Sequence, residues 1–305
     1  MSTSSWLSAN LPDQSGRTIV VTGASSGIGA TAARHLAAAG AHVVLAVRDV
    51  AKGQAVADTL PGSTEVRRLD LADLASVRAF AEGFGDGDTI DVLVNNAGVM
   101  ALPEQRTADG FEMQIGTNHL GHFALTNLLL GRVTARVVSV ASSAHRAGRI
   151  RLDDLNWEEP GSYDRWRAYG QSKLANLLFT SELQRRLAAA GSPVIATAAH
   201  PGYSATHLQG HTGSRLQGAL MAIGNRIVAQ DDAAGALPTV HAAVADIPGD
   251  SYVGPNGPFE LRGTPKLVGR TDAAKDADVA ARLWTLSEEL TGVRWPLDAA
   301  SRITV

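Results

Sequence analysis

Tyr169-Gly-Gln-Ser-Lys173 sets a phenol and an ammonium four positions apart, so a helix over residues 169–187 would carry both on one face. An ordinary tyrosine titrates near 10, and lowering it to neutrality takes ~4 kcal/mol of differential stabilisation. A neighbouring ammonium supplies part of that, leaving an acid able to protonate a developing alkoxide. Taken alone such a pair is common by chance and usually means two solvated neighbours on a helix surface. Its meaning depends on what else the chain carries.

A second pattern is built for binding. Thr22-Gly23-Ala24-Ser25-Ser26-Gly27-Ile28-Gly29 follows a short apolar run and opens an alanine-rich stretch. Gly23, Gly27 and Gly29 allow a tight bend and a close backbone approach to a pyrophosphate. The helix start at Ser25, Ser26 and Ile28 then offers free N–H groups and partial positive charge. The spacing is G-x-x-x-G-x-G, and its place between a strand and a helix favours a dinucleotide over an ordinary turn. The acid that would hold an adenosine ribose is expected at the end of the next strand, where Leu45-Ala46-Val47-Arg48-Asp49 stands. Val47 takes the acid position and Arg48 follows, and a guanidinium there matches a 2′-phosphate, favouring NADP(H) over NAD(H). A one-residue shift in register would instead make Asp49 the ribose ligand.

These groups need a scaffold, and the hydrophobic pattern describes one. Short β-branched runs at 18–21, 43–47, 91–94, 136–140 and 193–198 alternate with helical stretches such as 28–39. That alternation predicts an α/β fold: a single doubly wound Rossmann domain, its mostly parallel sheet covered by helices on both faces. No repeat or linker divides residues 1–305 into separate domains. After Pro201 the pattern loosens and glycines recur through Gly257, which reads as a mobile region over the site, with a substrate lid at about 202–230. Residues 258–305 read as a C-terminal extension whose stretch 279–290 returns to helical spacing, with Leu283, Leu286 and Leu290 on one stripe.

Composition narrows the partners. With 27 Lys+Arg against 30 Asp+Glu, the net charge of −3 lacks the basic footprint of a nucleic-acid binder. The 45% hydrophobic and 19% charged content is globular rather than disordered. The absence of cysteine excludes disulfides, thiol nucleophiles and Cys-ligated metals. The stretches at 187–214 and 113–131 lack formal charge but are interrupted by Gly, Pro, His and Asn, so neither is expected to span a membrane. The first ten residues have no signal-peptide character, and a cytoplasmic location is expected.

With these motifs in order, the chain resembles the short-chain dehydrogenase/reductases from about Arg17 to Pro248. The glycine motif stands at Gly23, Gly27 and Gly29, and the family's adenine-pocket Asp matches Asp70-Leu71. The N-N-A-G motif is intact as Asn95-Asn96-Ala97-Gly98, the helix asparagine matches Asn118, and the Tyr/Lys pair matches Tyr169 and Lys173. Pro201-Gly202 matches the turn after the sixth strand. Asn118-His-Leu-Gly-His-Phe123, Ser142-Ser-Ala-His145 and Tyr169-Gly-Gln-Ser-Lys-Leu-Ala-Asn176 look most like the retinol-dehydrogenase-like group, with its WW-domain oxidoreductase and protochlorophyllide-reductase relatives. That group commonly prefers NADP(H) and carries an insertion here spanning 146–168.

The resemblance implies roles. Tyr169 is the general acid or base, and Ser142 stabilises the substrate oxygen. Lys173 lowers the phenol and binds the nicotinamide ribose, while Asn118 holds a water in a proton relay. Val138-Ser139-Val140-Ala141-Ser142 aligns Ser142 with the catalytic serine, but Ala141 replaces the preceding serine, so Ser143 stays open. The expected reaction interconverts an alcohol and a carbonyl on an apolar small molecule. A carbon–carbon double-bond reductase and a non-catalytic NADP(H)-binding regulator are the alternatives, and a homo-oligomer is possible.

Other residues carry weaker signals. His207 and His211 have i, i+4 spacing with His200 nearby, but a glycine intervenes and no carboxylate is close, so no metal site is expected. His119 and His122 read as packing residues. Trp157, Tyr163 and Trp166 read either as pocket lining or as packed aromatics. The amphipathic stretch 216–228 reads as a lid helix.

Overall fold

A parallel sheet buries both faces, so its strands read as unbroken apolar runs. That is the pattern of β1 (Thr18–Thr22) and β2 (His42–Val47), all but the first residue of each buried. The computed structural model describes residues 2–202 and 232–297. After α1 (Thr3–Asn10), strands and helices alternate as β1, α2 (Gly27–Ala38), β2, α3 (Val50–Ala57), β3 (Thr64–Arg68), α4 (Leu74–Glu82) and β4 (Ile90–Asn95). Next come α5 (Met113–Ile115), a wider π-turn over Gly116–Leu120, α6 (Gly121–Leu129), β5 (Val133–Val140), α7 (Arg165–Ala189) and β6 (Ile195–Ala199). The described chain then continues through α8 (Asp232–Val244), β7 (Tyr252–Pro255), β8 (Pro265–Leu267) and α9 (Ala277–Thr291).

The sheet order is β3-β2-β1-β4-β5-β6-β7-β8, with all neighbours parallel except the antiparallel β7/β8 pair. The chain reverses direction across the sheet between β1 and β4, and the crevice beyond their carboxyl ends is where such sheets bind ligands. Alternation along β1 shows how both faces are covered. Ile19 and Val21 pack with Ala32 and Leu36 of α2 and Val240 of α8, whereas Val20 packs with Phe80 of α4, Phe123 of α6 and Leu183 of α7. This is one Rossmann-like α/β domain, and none of the described helices is long and apolar enough to cross a membrane.

Three elements depart from expectation. β3 carries no apolar run because it is the sheet edge: Thr-Glu-Val-Arg-Arg is half-exposed, and Glu65 and Arg67 pair at 2.6 Å. The loosened stretch after Pro201 is not all mobile cover. Within it α8 buries Ala236, Leu237 and Val240, and β7 pairs with β6, although Gly235 and Pro238 weaken the helical pattern. The expected lid (202–230) and its amphipathic stretch (216–228) lie outside the described residues apart from Gly202. In α9 the buried stripe is Ala280, Leu283, Trp284, Ser287 and Thr291, so Leu286 and Leu290 are only partly covered.

α9 packs on α6, which continues the turn holding Asn118, and on α7, which carries Tyr169 and Lys173. Trp284 stacks on Phe179 of α7 (5.6 Å, 10° between planes) and meets Phe123 of α6 edge-on at 4.9 Å. The Arg186 guanidinium covers the Trp284 ring at 4.5 Å. Ser287 Oγ lies 2.9 Å from His119 Nε2, beside Asn118.

Candidate active site

The glycine loop is shaped by its lack of side chains. Gly23 (φ +68°) and Gly27 (φ +55°) occupy left-handed backbone, and Gly23 N–H donates to Ala46 O of β2 at 2.8 Å. A Cβ on Gly29 would lie 2.4 Å from Asn96 Nδ2 and 2.5 Å from Gly23 O, so loop, helix start and β4 end interlock. Ser26 caps α2 without turning its hydroxyl onto the helix, which leaves first-turn N–H groups for an anion. Ser25, Ser26, Gly27 and Ile28 are all partly accessible. A phosphate-bearing dinucleotide fits this cradle.

The stretch Asn96-Ala97-Gly98-Val99 is held at both ends. Thr22 Oγ1 accepts from Asn96 N and Ala97 N, both at 2.9 Å, and Asn96 Nδ2 donates to Thr22 O at 2.8 Å. The Asn118 side chain accepts from Val99 N at 2.7 Å and donates to Val99 O at 2.9 Å. Its amide also donates to Ser172 Oγ at 2.9 Å, and Ser172 Oγ donates to Tyr169 O at the same distance. Asn118 is fully buried in the π-turn, with its side chain spent on these contacts. Between the two ends, a Cβ on Gly98 would be 3.1 Å from Asn118 Oδ1 and 3.4 Å from Lys173 Nζ.

Asp164 starts α7 by accepting from Trp166 N and Arg167 N, and the next turn presents Tyr169 and Lys173. Both are buried, with Lys173 Nζ 5.9 Å from the Tyr169 ring centre. The ammonium donates to Val140 O at 3.0 Å, an acceptor shared with Asn176 Nδ2 at 3.1 Å. Burial lowers Lys173 from 10.5 to about 8. Tyr169 departs from the sequence expectation. Burial raises its phenol above 10, and the Ser142 hydroxyl pulls it partway back.

Ser142 is thus the serine whose hydroxyl acts on Tyr169, and it also accepts from Ala144 N at 3.2 Å. Ser139 lies buried within β5, paired between Asn95 and Ala198. His145 Nδ1 lies 2.7 Å from Ser142 O and anchors the serine's own peptide.

The remaining positions ring this centre. Arg48 is exposed at the end of β2, with no ion pair among the described residues, whereas Asp49 Oδ1 caps α3 by accepting from Lys52 N at 3.0 Å. Asp70 Oδ1 accepts from Ala72 N at 3.0 Å, while Leu71 is buried. Pro201 and Gly202 follow β6, where Gly202 (φ +72°) leaves room for Leu261 O. Gly202 N–H donates to His200 Nδ1 at 3.2 Å, and Glu260 Oε2 lies 3.2 Å from His200 Nε2 and 2.9 Å from Arg146. In this clamp between the serine loop and the Pro201-Gly202 turn, His200 is the histidine the sequence set beside His207 and His211, whereas Glu260 and Arg146 carry no signal of their own.

In the insertion, Trp157 packs edge-on against Tyr163 at 5.9 Å, under the Arg151 guanidinium at 4.4 Å. Tyr163 OH donates to Leu102 O at 2.9 Å. Trp166 is 51% exposed and is the one of the three left in solvent. His207 and His211 lie outside the described residues.

Thr22, His122, Ser172 and Glu260 were not singled out from the sequence as site residues. Thr22 lies inside the glycine motif and His122 inside the Asn118 segment, but neither motif signals that the two side chains meet.

The short chain dehydrogenase family profile matches residues 17–154. Human retinol dehydrogenase 13 is 41% identical over 298 residues, covering 92% of this chain and 86% of its own. Human retinol dehydrogenase 12 is 43% identical over 294 residues, covering 92% and 88%. A solved protein from Mycobacterium paratuberculosis is 56% identical, with a TM-score of 0.84, over 95% of this chain and 99% of that one.

Proposed function

The chain belongs to the short-chain dehydrogenase family, and on that footing we propose that it moves a hydride between NADP(H) and an apolar alcohol or carbonyl, with Tyr169 as acid and base. Membership makes it an NAD(P)-dependent oxidoreductase acting on alcohol and carbonyl groups. The finer reading rests chiefly on one juxtaposition: a buried Tyr169 flanked by the Ser142 hydroxyl and by the Lys173 ammonium one helical turn away.

The nicotinamide supplies or takes the hydride when bound; the protein supplies position and proton. Gly23, Ser25, Ser26, Gly27, Ile28 and Gly29 would cradle the pyrophosphate. Asp70 and Leu71 would border the adenine, and Asn96, Ala97, Gly98, Pro201 and Gly202 the nicotinamide end. In carbonyl reduction Tyr169 OH gives its proton to the substrate oxygen, while Ser142 Oγ–H steadies the charge that develops there. The relay through Lys173 and Asn118 would return a proton to the Tyr169 phenolate after each reduction.

NADP(H) preference is supported by the exposed Arg48 and by the use of Asp49 as a helix cap. An apolar substrate is supported by the relatives' names, since retinol is an isoprenoid alcohol.

The test is fluorescence titration with NADPH and NADH, followed by turnover of retinaldehyde with product identification. Tighter NADPH binding and an alcohol product are expected, whereas a saturated double bond would move the reaction class. Tyr169→Phe should lose about 10²–10⁴-fold in turnover while binding NADPH like the parent. Retained turnover in that variant refutes the role of Tyr169.

A further inference from the structure

We infer that His122 is a positioning residue that couples the nucleotide-binding loop to the catalytic centre, through a hydrogen-bonded chain from Thr22 to Tyr169. The sequence reading of His122 as simple packing is replaced by its contacts. His122 Nδ1 lies 3.1 Å from Asn118 O and its Nε2 lies 2.9 Å from Thr22 Oγ1. A carbonyl only accepts, so Nδ1 must carry a proton. Burial lowers His122 to about 4, so the ring is neutral and Nε2 is a bare acceptor. Thr22 therefore donates to it. The alternative acceptor, Val94 O, is at 3.3 Å, and one hydroxyl proton does not serve both.

This assignment completes a circuit. Both lone pairs of Thr22 Oγ1 are taken by Asn96 N and Ala97 N, and its proton goes to His122. His122 then fixes the Asn118 peptide. The Asn118 side chain fixes Val99 and Ser172, and Ser172 reaches the Tyr169 carbonyl. Both clamps on residues 96–99 thus share one imidazole, which sits between the end of the first strand and the start of α6. A phenylalanine would fill the space, but only a side chain with a donor and an acceptor at opposite ends makes the link. The charged and titratable groups acting on the ring are Lys173 and its neighbour His119.

The proposal rests on the oxidoreductase reading for its kinetic arm but not for its spectroscopic one. In ¹⁵N-histidine NMR of the intact protein at neutral pH, His122→Gln should remove one signal of a neutral, Nδ1-protonated ring. His145, whose Nδ1 faces Ser142 O, should give another that stays. In turnover of retinaldehyde with NADPH, His122→Phe should lower kcat and weaken NADPH binding, each by about tenfold. Its alkaline limb should also move upward, because the Asn118 peptide, no longer anchored by the imidazole, can shift and let water rehydrate Lys173. His122→Gln should recover part of both losses, and adding His122→Phe to Thr22→Val should cost little further, since both remove one shared link.

If the lost signal is an Nε2-protonated ring or an imidazolium, the inference fails. It also fails if His122→Phe lowers only thermal stability and leaves kcat, NADPH affinity and the alkaline limb unchanged. Should that variant not fold, His122→Gln is judged by the same three measurements. If the parent protein turns over no carbonyl, the proposed function fails, while the NMR signal and NADPH affinity still decide the coupling.

Discussion

Replacing Lys173 by methionine should stabilise the cofactor-free protein while removing its activity. The side chain is buried and its ammonium falls from 10.5 to about 8 on burial, a difference of 2.5 units. At 1.36 kcal/mol per unit, keeping that charge in the folded chain costs about 3 kcal/mol. Methionine forfeits the bond to Val140 O, worth about 1 kcal/mol, but that carbonyl retains Asn176 Nδ2 at 3.1 Å. The net gain at pH 7 is therefore roughly 2 kcal/mol, or a Tm increase on the order of 5 °C for a chain of this size.

The pH dependence has a definite sign. Between about 8 and 10.5 the unfolded chain binds more protons at this site than the folded one, so the parent gains stability as pH rises. Its penalty is complete below about 8 and disappears above 10.5, so Lys173→Met should lead clearly at pH 7 and much less at pH 10. Urea unfolding of both proteins at the two pH values measures this. A methionine variant less stable than the parent at pH 7, or an advantage that does not shrink by pH 10, would refute the account of a desolvated ammonium.

Other perturbations address the nucleotide. Arg48→Asp should weaken NADPH binding by about 10–100-fold, the loss of a charge-assisted contact, and leave NADH binding equal or improved, as titration of both would show. Gly29→Ala places a methyl 2.4 Å from Asn96 Nδ2 and 2.5 Å from the Gly23 carbonyl, and backbone cannot step aside cheaply. It should raise the dissociation constant for both cofactors by about tenfold or more, with a lower Tm.

Much of the candidate site's frame was legible because its signals are local. The β1–loop–α2 unit is marked by glycines that the backbone geometry requires, and the Tyr169/Lys173 pair by the period of one helix. β3 was not legible, because an edge strand balances Glu65 against Arg67 in place of an apolar run. α8 was obscured by Gly235 and Pro238, whose intrinsic cost is outweighed by burial of Ala236, Leu237 and Val240. His122 was the subtler case. Its partner Thr22 is 100 residues away, and only the fold brings the hydroxyl to the ring. The raised phenol of Tyr169 likewise depends on how deeply α7 is buried, which no spacing reports.

The packing of α9 on α6 and α7 has a consequence for how the protein comes to life at the ribosome. Synthesis is vectorial, and the elements bearing Asn118, Ser142 and Tyr169 emerge well before Trp284 and Ser287. Until α9 arrives, Phe123 and Phe179 lack the ring of Trp284, and the imidazole of His119 lacks the hydroxyl of Ser287. The nascent chain thus carries an apolar flank directly behind its candidate site residues, the kind of exposed surface on which incompletely folded chains associate. Competence is conferred late, by a helix that contributes none of the candidate catalytic residues.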